Sequence, residues 1–495
     1  MKNLKINALA SVTVRVLNIL FPLITGPYIA RTLSKENISL FDASNTIAQL
    51  FIPFATFGIY TYGVRAISKV KNNIKKRNEL FSELFFLSVI STLITSLIYY
   101  TYVTNFLDYK NNIQIYVYSI LGLQILCQFL YIEWINEAFE NYTFILYKTI
   151  VVRLTIFTLT FTLIKDADDV LPYVSIMTLA EILNMLISFI WIKKEVKFVK
   201  IKIKNLLKLL SPLFTILLLS NLNMLYIYLD RIFLTNSPVS TNISDYVVSY
   251  NIVMLITGVI SGAISVNIPR LSYYWGENKI EDYTNLINKG SQFFLFLITP
   301  ISFGLMILGT EATLIYGGDK FLSAGIVTSI FSIRALILAL DNIIGIQILF
   351  VQGYEKKLAL YIAIGGLSNL ALNSLLFYNN LFSPEYYIMT TIVAEIIVVI
   401  LYVQFIIRKN IMNLKNLLQN FLKYTIISST FFVVSLIVEK FIPHSIIINK
   451  ITILSIAIKI ISCGLIYFLI LYISKDKMLY DTIYFIKGKI KRLAK

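Results

Sequence analysis

Apolar stretches of about twenty residues, the length that crosses a bilayer, alternate with short polar runs along the whole chain. They fall near 8–31, 38–62, 80–102, 113–133, 143–164, 171–192, 211–235, 245–267, 290–309, 322–350, 358–378, 385–407, 421–441 and 451–473. A segment inside lipid must satisfy its own backbone hydrogen bonds, so each stretch is expected to be a helix. The pattern predicts an all-α integral membrane protein of about fourteen transmembrane helices. An even count places both termini on one face. Composition agrees: 57% of the 495 residues are hydrophobic and 14% are charged, against about 25% charged in an ordinary soluble protein.

Charge then sets orientation. Lys and Arg crowd the polar runs 69–77, 193–208 and 408–423 and the tail from Lys475. The alternate runs carry only Arg31, Lys35, Lys110, Lys165, Lys320, Lys440 and Lys450, together with the acidic turn Asp166, Asp168 and Asp169. Basic runs mark the cytoplasmic side, so both termini are expected there. The same distribution accounts for the net charge of +17 and excludes nucleic-acid binding, because the basic runs occur only between apolar spans. Every external run is too short to build an enzyme site, which weighs against a membrane polymerase or glycosyltransferase. The tail places Leu479, Ile483, Ile486, Ile490 and Leu493 on one helical face beside Lys487, Lys489, Lys491 and Arg492. That pattern suits a helix lying on anionic headgroups and equally a topology-fixing basic tail.

Short motifs recur in order between the two halves. Gly122-Leu123-Gln124-Ile125-Leu126 returns as Gly345-Ile346-Gln347-Ile348-Leu349, Ala180-Glu181-Ile182 as Ala394-Glu395-Ile396, and Tyr28-Ile29-Ala30-Arg31 as Tyr228-Leu229-Asp230-Arg231. Two repeats of like orientation are expected, related by a pseudo-twofold along the membrane normal. The organisation reads as an N-terminal lobe over 1–208, a C-terminal lobe over 209–420, two appended spans over 421–473 and the basic tail over 474–495.

Candidate chemistry lies in charges inside spans: Arg15, Lys148, Arg153, Arg231, Arg334 and Lys459. Each costs roughly 2.5–3.5 kcal/mol at mid-bilayer, so six facing lipid would cost on the order of 15–20 kcal/mol. They must line a wet cavity, pair with acids or snorkel. Lys148 and Arg231 lie near span ends and can snorkel; Lys459 is expected to snorkel or make a local contact. Four of the ten arginines lie within spans, against two of thirty-four lysines. Arginine keeps its charge when buried and its planar fork grips phosphate at two points, which points to an anionic headgroup such as a pyrophosphate. Arg15, Arg153 and Arg334 are the deepest candidates for cavity lining, and a structural pairing is the alternative. Asp230 beside Arg231, Asp341 two turns from Arg334, and Glu181 and Glu395 at matching repeat positions are the candidate partners. The two glutamates serve either ion coupling or neutralisation, and Asp42 reads as interfacial. Pro22 and Pro27 inside the first span predict a kink or break.

Two cysteines, Cys127 and Cys463, and one histidine, His444, offer no disulfide framework, metal site or cofactor chemistry. No small-residue cleavage site follows the first span, so no removable leader is expected. No P-loop pattern is present, so ATP hydrolysis is not expected.

Several segments carry a family resemblance. Tyr28-Ile29-Ala30-Arg31-Thr32-Leu33 followed by Phe41-Asp42-Ala43-Ser44, and Gly63-Val64-Arg65 before a basic run, resemble the opening of polysaccharide-repeat-unit flippases. Asp230-Arg231 with Tyr246-Val247-Val248-Ser249-Tyr250, then Pro269-Arg270-Leu271-Ser272, and Gln347-Ile348-Leu349 leading to Gly353-Tyr354-Glu355-Lys356, are similar to its central helices and connection. The resemblance covers essentially the full length. It implies the multidrug/oligosaccharidyl-lipid/polysaccharide exporter superfamily, with twelve to fourteen helices in two lobes around a central cavity. Its polysaccharide branch flips undecaprenyl-pyrophosphate-linked oligosaccharides for capsule, O-antigen or exopolysaccharide across the bacterial cytoplasmic membrane, without enzymatic chemistry. Arg15 is the position that the resemblance implies for a cationic pyrophosphate contact in the first helix. Coupling to H+ or Na+, and contacts with membrane lipids and other polysaccharide assembly proteins, follow as expectations. A multidrug antiporter or a lipid II flippase of the same superfamily stands as the rival; the antiporter predicts a cavity in which carboxylates dominate.

Overall fold

The computed structural model describes residues 4–107, 109, 112–222, 224–265, 267–442 and 450–484. His444 and the amphipathic tail beyond 484 lie outside the described residues, as do several side chains within helices, Arg15 among them. All regular structure in the described residues is helical. The chain divides into two compact units, Met1–Ser244 and Asp245–Lys495.

The N-terminal unit contains α1 (Leu4–Thr32), α2 (Lys35–Thr56), α3 (Ile59–Val70), α4 (Ile74–Phe106), α5 (Asn112–Leu126), α6 (Glu133–Ala138), α7 (Tyr142–Leu163), α8 (Val170–Ile192), α9 (Ile203–Ser220), α10 (Met224–Ile227) and α11 (Leu229–Thr235). α12 (Asn242–Ser265) begins at its end and carries into the C-terminal unit. There follow α13 (Ile268–Gly276), α14 (Ile280–Ile307), α15 (Gly309–Gly317), α16 (Ala324–Asp341), which continues as a π-helix over Asn342–Phe350, then α17 (Glu355–Tyr378), α18 (Pro384–Arg408), α19 (Lys415–Phe441) and α20 (Lys450–Ile473).

Eleven helical segments among the described residues are long and apolar enough to cross a membrane. The protein is a multi-pass membrane protein. Three further expected spans, near 8–31, 211–235 and 245–267, include positions outside the described residues. Large apolar side chains such as Leu97, Tyr378 and Leu465 stand fully out on the surface. In water they would form aggregating patches; in a bilayer they meet acyl chains. Inside each unit the helices bury Ser, Thr and Asn as well as aliphatic residues, the composition that lets helices approach closely where lipid is as apolar as leucine.

Two local departures from the simple span pattern have clear causes. The segment expected as one span over 211–235 is three helices, α9, α10 and α11. Asn221 ends α9 by donating its side-chain amide to Leu217 O at 2.7 Å, so a side chain takes the carbonyl that the next turn would have used. The span expected over 38–62 becomes α2 and α3, because Phe57 (φ 47°) and Gly58 (φ 70°) are left-handed. A Cβ at Gly58 would come within 2.6 Å of Leu213 O, so this corner admits only glycine. α3 leaves the bundle with an amphipathic pattern and packs on α6. There Gly63 lets the Trp134 ring come within 2.4 Å of where a Cβ would stand. α1, by contrast, is continuous through Pro22 and Pro27.

At one end of the N-terminal unit the turn before α8 is ordered by Asp169. Its carboxylate accepts the backbone N–H groups of Lys165 and Asp166, each at 2.8 Å, and these bonds hold its pKa below the usual carboxylate range. Ser34 N donates to Ala167 O, which ties the same turn to the start of α2.

Candidate functional site

The N-terminal unit encloses a polar cavity of about 210 Å³ among α1, α3, α6, α7 and α8. One face of α7 supplies Ile145, Lys148, Thr149, Val152, Arg153 and Ile156. These positions recur at three- and four-residue intervals, the spacing of a helical stripe. α8 adds Glu181 and Asn184, α6 adds Glu133 and Glu137, and α1 adds Val14 and Asn18. Tyr60 and Tyr131 stack across the wall with centroids 5.6 Å apart.

The charges inside are partnered unequally. Lys148 is 5% exposed. Its ammonium lies 2.8 Å from Glu133 Oε2 and 2.9 Å from Ser188 Oγ, and Ser188 in turn donates to Glu133. Snorkelling, expected from its place near a span end, is therefore not what Lys148 does. A carboxylate on the neighbouring short helix holds it inside, and desolvating both charges is offset only by that close pairing. Arg153 differs. It is half-buried and donates from Nη2 to Asn18 Oδ1 at 3.1 Å, a neutral partner. Glu181 is within electrostatic reach of Arg153 and Lys148, yet it is exposed to the cavity space. Arg153 thus keeps its charge facing open volume.

Arg231 is buried on the broken seventh span, beside the fully buried Asp230. Its guanidinium stands 5.7 Å from the Tyr228 ring centroid and interacts electrostatically with Asp42 of α2. Asp42, read from sequence as interfacial, is buried.

In the C-terminal unit Arg334 is 3% exposed and Glu395 8%. Arg334 Nε lies 3.0 and 3.1 Å from the two Glu395 oxygens, and Nη2 lies 2.7 Å from Oε1. This is a close pair made through Nε and Nη2 along one edge of the guanidinium. Asp341 faces the same pair near Tyr402. Lys459 is 0% exposed and bonded to Glu311 at 2.7 Å and Glu439 at 2.8 Å. Of the two expectations for Lys459, the local contact is the one observed. No group of metal-binding side chains occurs among the described residues.

Sequence reading singled out Lys148, Arg153 and Glu181 but missed Glu133, Glu137, Tyr60 and Tyr131, which complete the cavity, and Ser188, which bonds Lys148 and Glu133. Glu133 sits at the edge of an expected span and looked like a boundary residue. An acid at the end of one span and a lysine near the start of the next was the available signal.

The N-terminal unit is a helical membrane unit that shelters several ionised side chains in a hollow. Solved structures share the chain's fold. One titled "Lipid II flippase MurJ, inward closed conformation" matches with a TM-score of 0.69 at 16% identity, over 94% of this chain and 99% of that one. One titled "Inward-facing conformation of a multidrug resistance MATE family transporter of the MOP superfamily" gives 0.54 at 11% identity, over 78% and 98%. The particular family follows from the sequence match: the chain belongs to the polysaccharide biosynthesis protein family, which it matches over residues 4–275. It is also similar to a protein of Escherichia coli (strain K12) named "Putative O-antigen transporter", 23% identical over 75% of this chain and 89% of that protein. A protein of the same name from Shigella dysenteriae is 23% identical over 74% of this chain and 91% of its own length.

Proposed function

We propose that this protein is a flippase that moves undecaprenyl-pyrophosphate-linked oligosaccharides across the bacterial cytoplasmic membrane for O-antigen, capsule or exopolysaccharide synthesis. Family membership and the named relatives support the substrate class. The observation that carries the mechanism is Arg153, a guanidinium held at membrane depth by one neutral amide and facing a polar hollow. Its remaining donors suit a phosphate oxygen. Arg15, on the same helix as Asn18, is proposed to add a second cation, and Arg231 a third further along the unit. Glu181 neutralises Arg153 when no anion is present, and is also the residue through which H+ or Na+ would couple. Transport proceeds by alternating access, with both termini cytoplasmic. The direction of transport comes from an ion gradient or from consumption of the product outside.

The test is a flipping assay in proteoliposomes with a fluorescent undecaprenyl-diphosphate saccharide. Wild type should move it; Arg153→Ala should lose most of the rate with the protein still folded and inserted. Wild type that fails to move any lipid-linked saccharide ends this reading.

One observation favours the antiporter rival. Among the described lining residues of the cavity, Glu133, Glu137 and Glu181 outnumber Lys148 and Arg153. Export of cationic drugs by the purified protein, competed by protons, would establish it. A lipid II flippase is separated by supplying lipid II in the same assay.

A further inference from the structure

The segment between α8 and α9 is a strap fastened along the start of α4. Arg77 donates to Glu195 O. Asn78 Oδ1 accepts the Lys197 N–H at 3.1 Å, and one turn on, Ser82 Oγ accepts the Val199 N–H at 2.9 Å. Glu83 takes the side-chain amide of Asn205, on the first turn of α9, at 2.7 Å. Val196 and Ile201 pack into the core, and the Phe198 ring lies on Phe81 and Phe85 with centroids 5.1 and 5.0 Å away. The strap therefore has a fixed course, set by side chains that capture its backbone.

It carries its charge outward. Residues 193–208 hold seven lysines, no arginine and one acid, Glu195. All seven lysines are exposed, and none makes an ion pair among the described residues. In the other basic runs Lys71 pairs with Glu140 and Lys423 with Asp476. Beside the strap, α9 exposes Ile203, Leu207, Leu210, Phe214 and Leu218, spaced three and four residues apart as one helical stripe. Lys204 and Lys208 stand at the strap end of that stripe. Trp191, at the end of α8, stacks on Phe144 with centroids 4.4 Å apart, and the Lys194 ammonium lies 4.9 Å from its ring centre. Tryptophan at a span end marks the headgroup level, so these lysines lie where acyl chains give way to headgroups.

Charge and length together choose the occupant. From Lys197 to Lys202 the non-helical chain reaches up to about 17 Å, and from Lys202 to Lys208 the helix adds about 9 Å. One diphosphate would engage only part of such a row, whereas headgroups side by side in a leaflet match all of it. Lysine is a hydrated point charge without the arginine fork, which suits a row of hydrated monoanions. A soluble polyanion would leave the apolar stripe of α9 uncovered. We propose that the strap and the start of α9 form a binding face for anionic phospholipid, with lysine ammoniums on several headgroup phosphates and acyl chains along the stripe. Under the orientation proposed above, this face meets the cytoplasmic leaflet. None of the strap residues lines the cavity of Arg153, so lipid binding here requires no particular cargo.

The experiment is native mass spectrometry of the purified full chain titrated with phosphatidylglycerol and phosphatidylcholine of the same acyl chains. Wild type should favour phosphatidylglycerol by at least about tenfold, since each lysine near an anionic surface contributes about fivefold. Lys197→Gln, Lys200→Gln, Lys202→Gln and Lys204→Gln combined should remove that preference and leave phosphatidylcholine binding and melting unchanged. Arginine at the same four positions should restore it. Lys409→Gln with Lys415→Gln, in another basic run, should alter it less than twofold. Asn78→Ala with Ser82→Ala keeps every charge but releases the strap, and should lose part of the preference. Equal binding of both lipids by wild type, equal loss from the Lys409 and Lys415 control, or full preference in the released strap overturns the proposal. So does tighter binding of undecaprenyl diphosphate than of phosphatidylglycerol that the four substitutions abolish, which would assign the face to the carrier instead.

Discussion

Arg153 in the N-terminal unit and Arg334 in the C-terminal unit place the same guanidinium at membrane depth, each near a glutamate from the matched pair Glu181 and Glu395. Their surroundings are opposite. Arg334 is gripped through Nε and Nη2 by Glu395, and both are buried. Arg153 is half-buried against Asn18, and Glu181 stands exposed in a hollow. A cation buried in a close pair with a carboxylate is costly to separate, because that would strand two buried charges. A cation held by a neutral amide keeps its charge available. An intramembrane arginine near a glutamate is thus locked in one unit and left facing a hollow in the other.

The largest expected effect comes from breaking the locked pair. Arg334→Ala leaves Glu395 buried without its counter-ion, which costs roughly 3–5 kcal/mol; detergent-solubilised protein should melt markedly earlier and membrane levels should fall. Arg334→Met with Glu395→Leu should recover most of that stability, since an apolar replacement of a buried pair is often neutral. If the single variant is as stable as wild type, the two clusters do not differ as described.

The Lys459 cluster is the next largest. Lys459→Met leaves Glu311 and Glu439 facing each other beside α20, and should cost about 2–4 kcal/mol; adding Glu311→Gln should return part of it. Differential scanning fluorimetry of the single and double variants reads this directly.

Arg153→Ala is expected to leave melting nearly unchanged, within about 1 kcal/mol, while cutting flipping by at least about tenfold through loss of a charge-assisted contact. Loss of the protein with loss of transport would instead make Arg153 a second Arg334. Glu181→Gln removes the competing carboxylate and should tighten binding of an undecaprenyl diphosphate probe severalfold, with little change in melting.

The smallest effect is at the turn before α8. Hydrogen bonding depresses the pKa of Asp169. Its contribution is present above the ordinary carboxylate pKa and is lost as pH falls through the lower folded value. Hydrogen exchange at the Lys165 and Asp166 amides, which donate to it, should speed up only in that acidic window. Asp169→Asn should speed it at neutral pH.

The repeat reading placed a boundary near 208, whereas contacts divide the chain after Ser244. The first follows recurring motifs and the second follows packing, so the two lines need not coincide. A similar separation runs through the candidate site. Lys148 and Arg153 were legible because charge inside an apolar stretch stands out one residue at a time. Glu133 and Ser188 were not, because their importance lies in meeting Lys148 across 15 and 40 residues of chain.

Hydrophobic run length and the placement of lysine and arginine determined, by themselves, that this chain is a bundle of membrane helices carrying charges in its spans. A bilayer imposes those features locally, through backbone hydrogen bonding and insertion cost, so each stretch declares itself without its neighbours. Only the tertiary structure decided which charges are locked in close ion pairs and which face a cavity. Lys148 closes on Glu133, Arg334 on Glu395 and Lys459 on two acids, while Arg153 opens to a cavity. Pairing depends on distances of a few ångströms between helices remote in sequence, and the order of residues along one helix does not contain them.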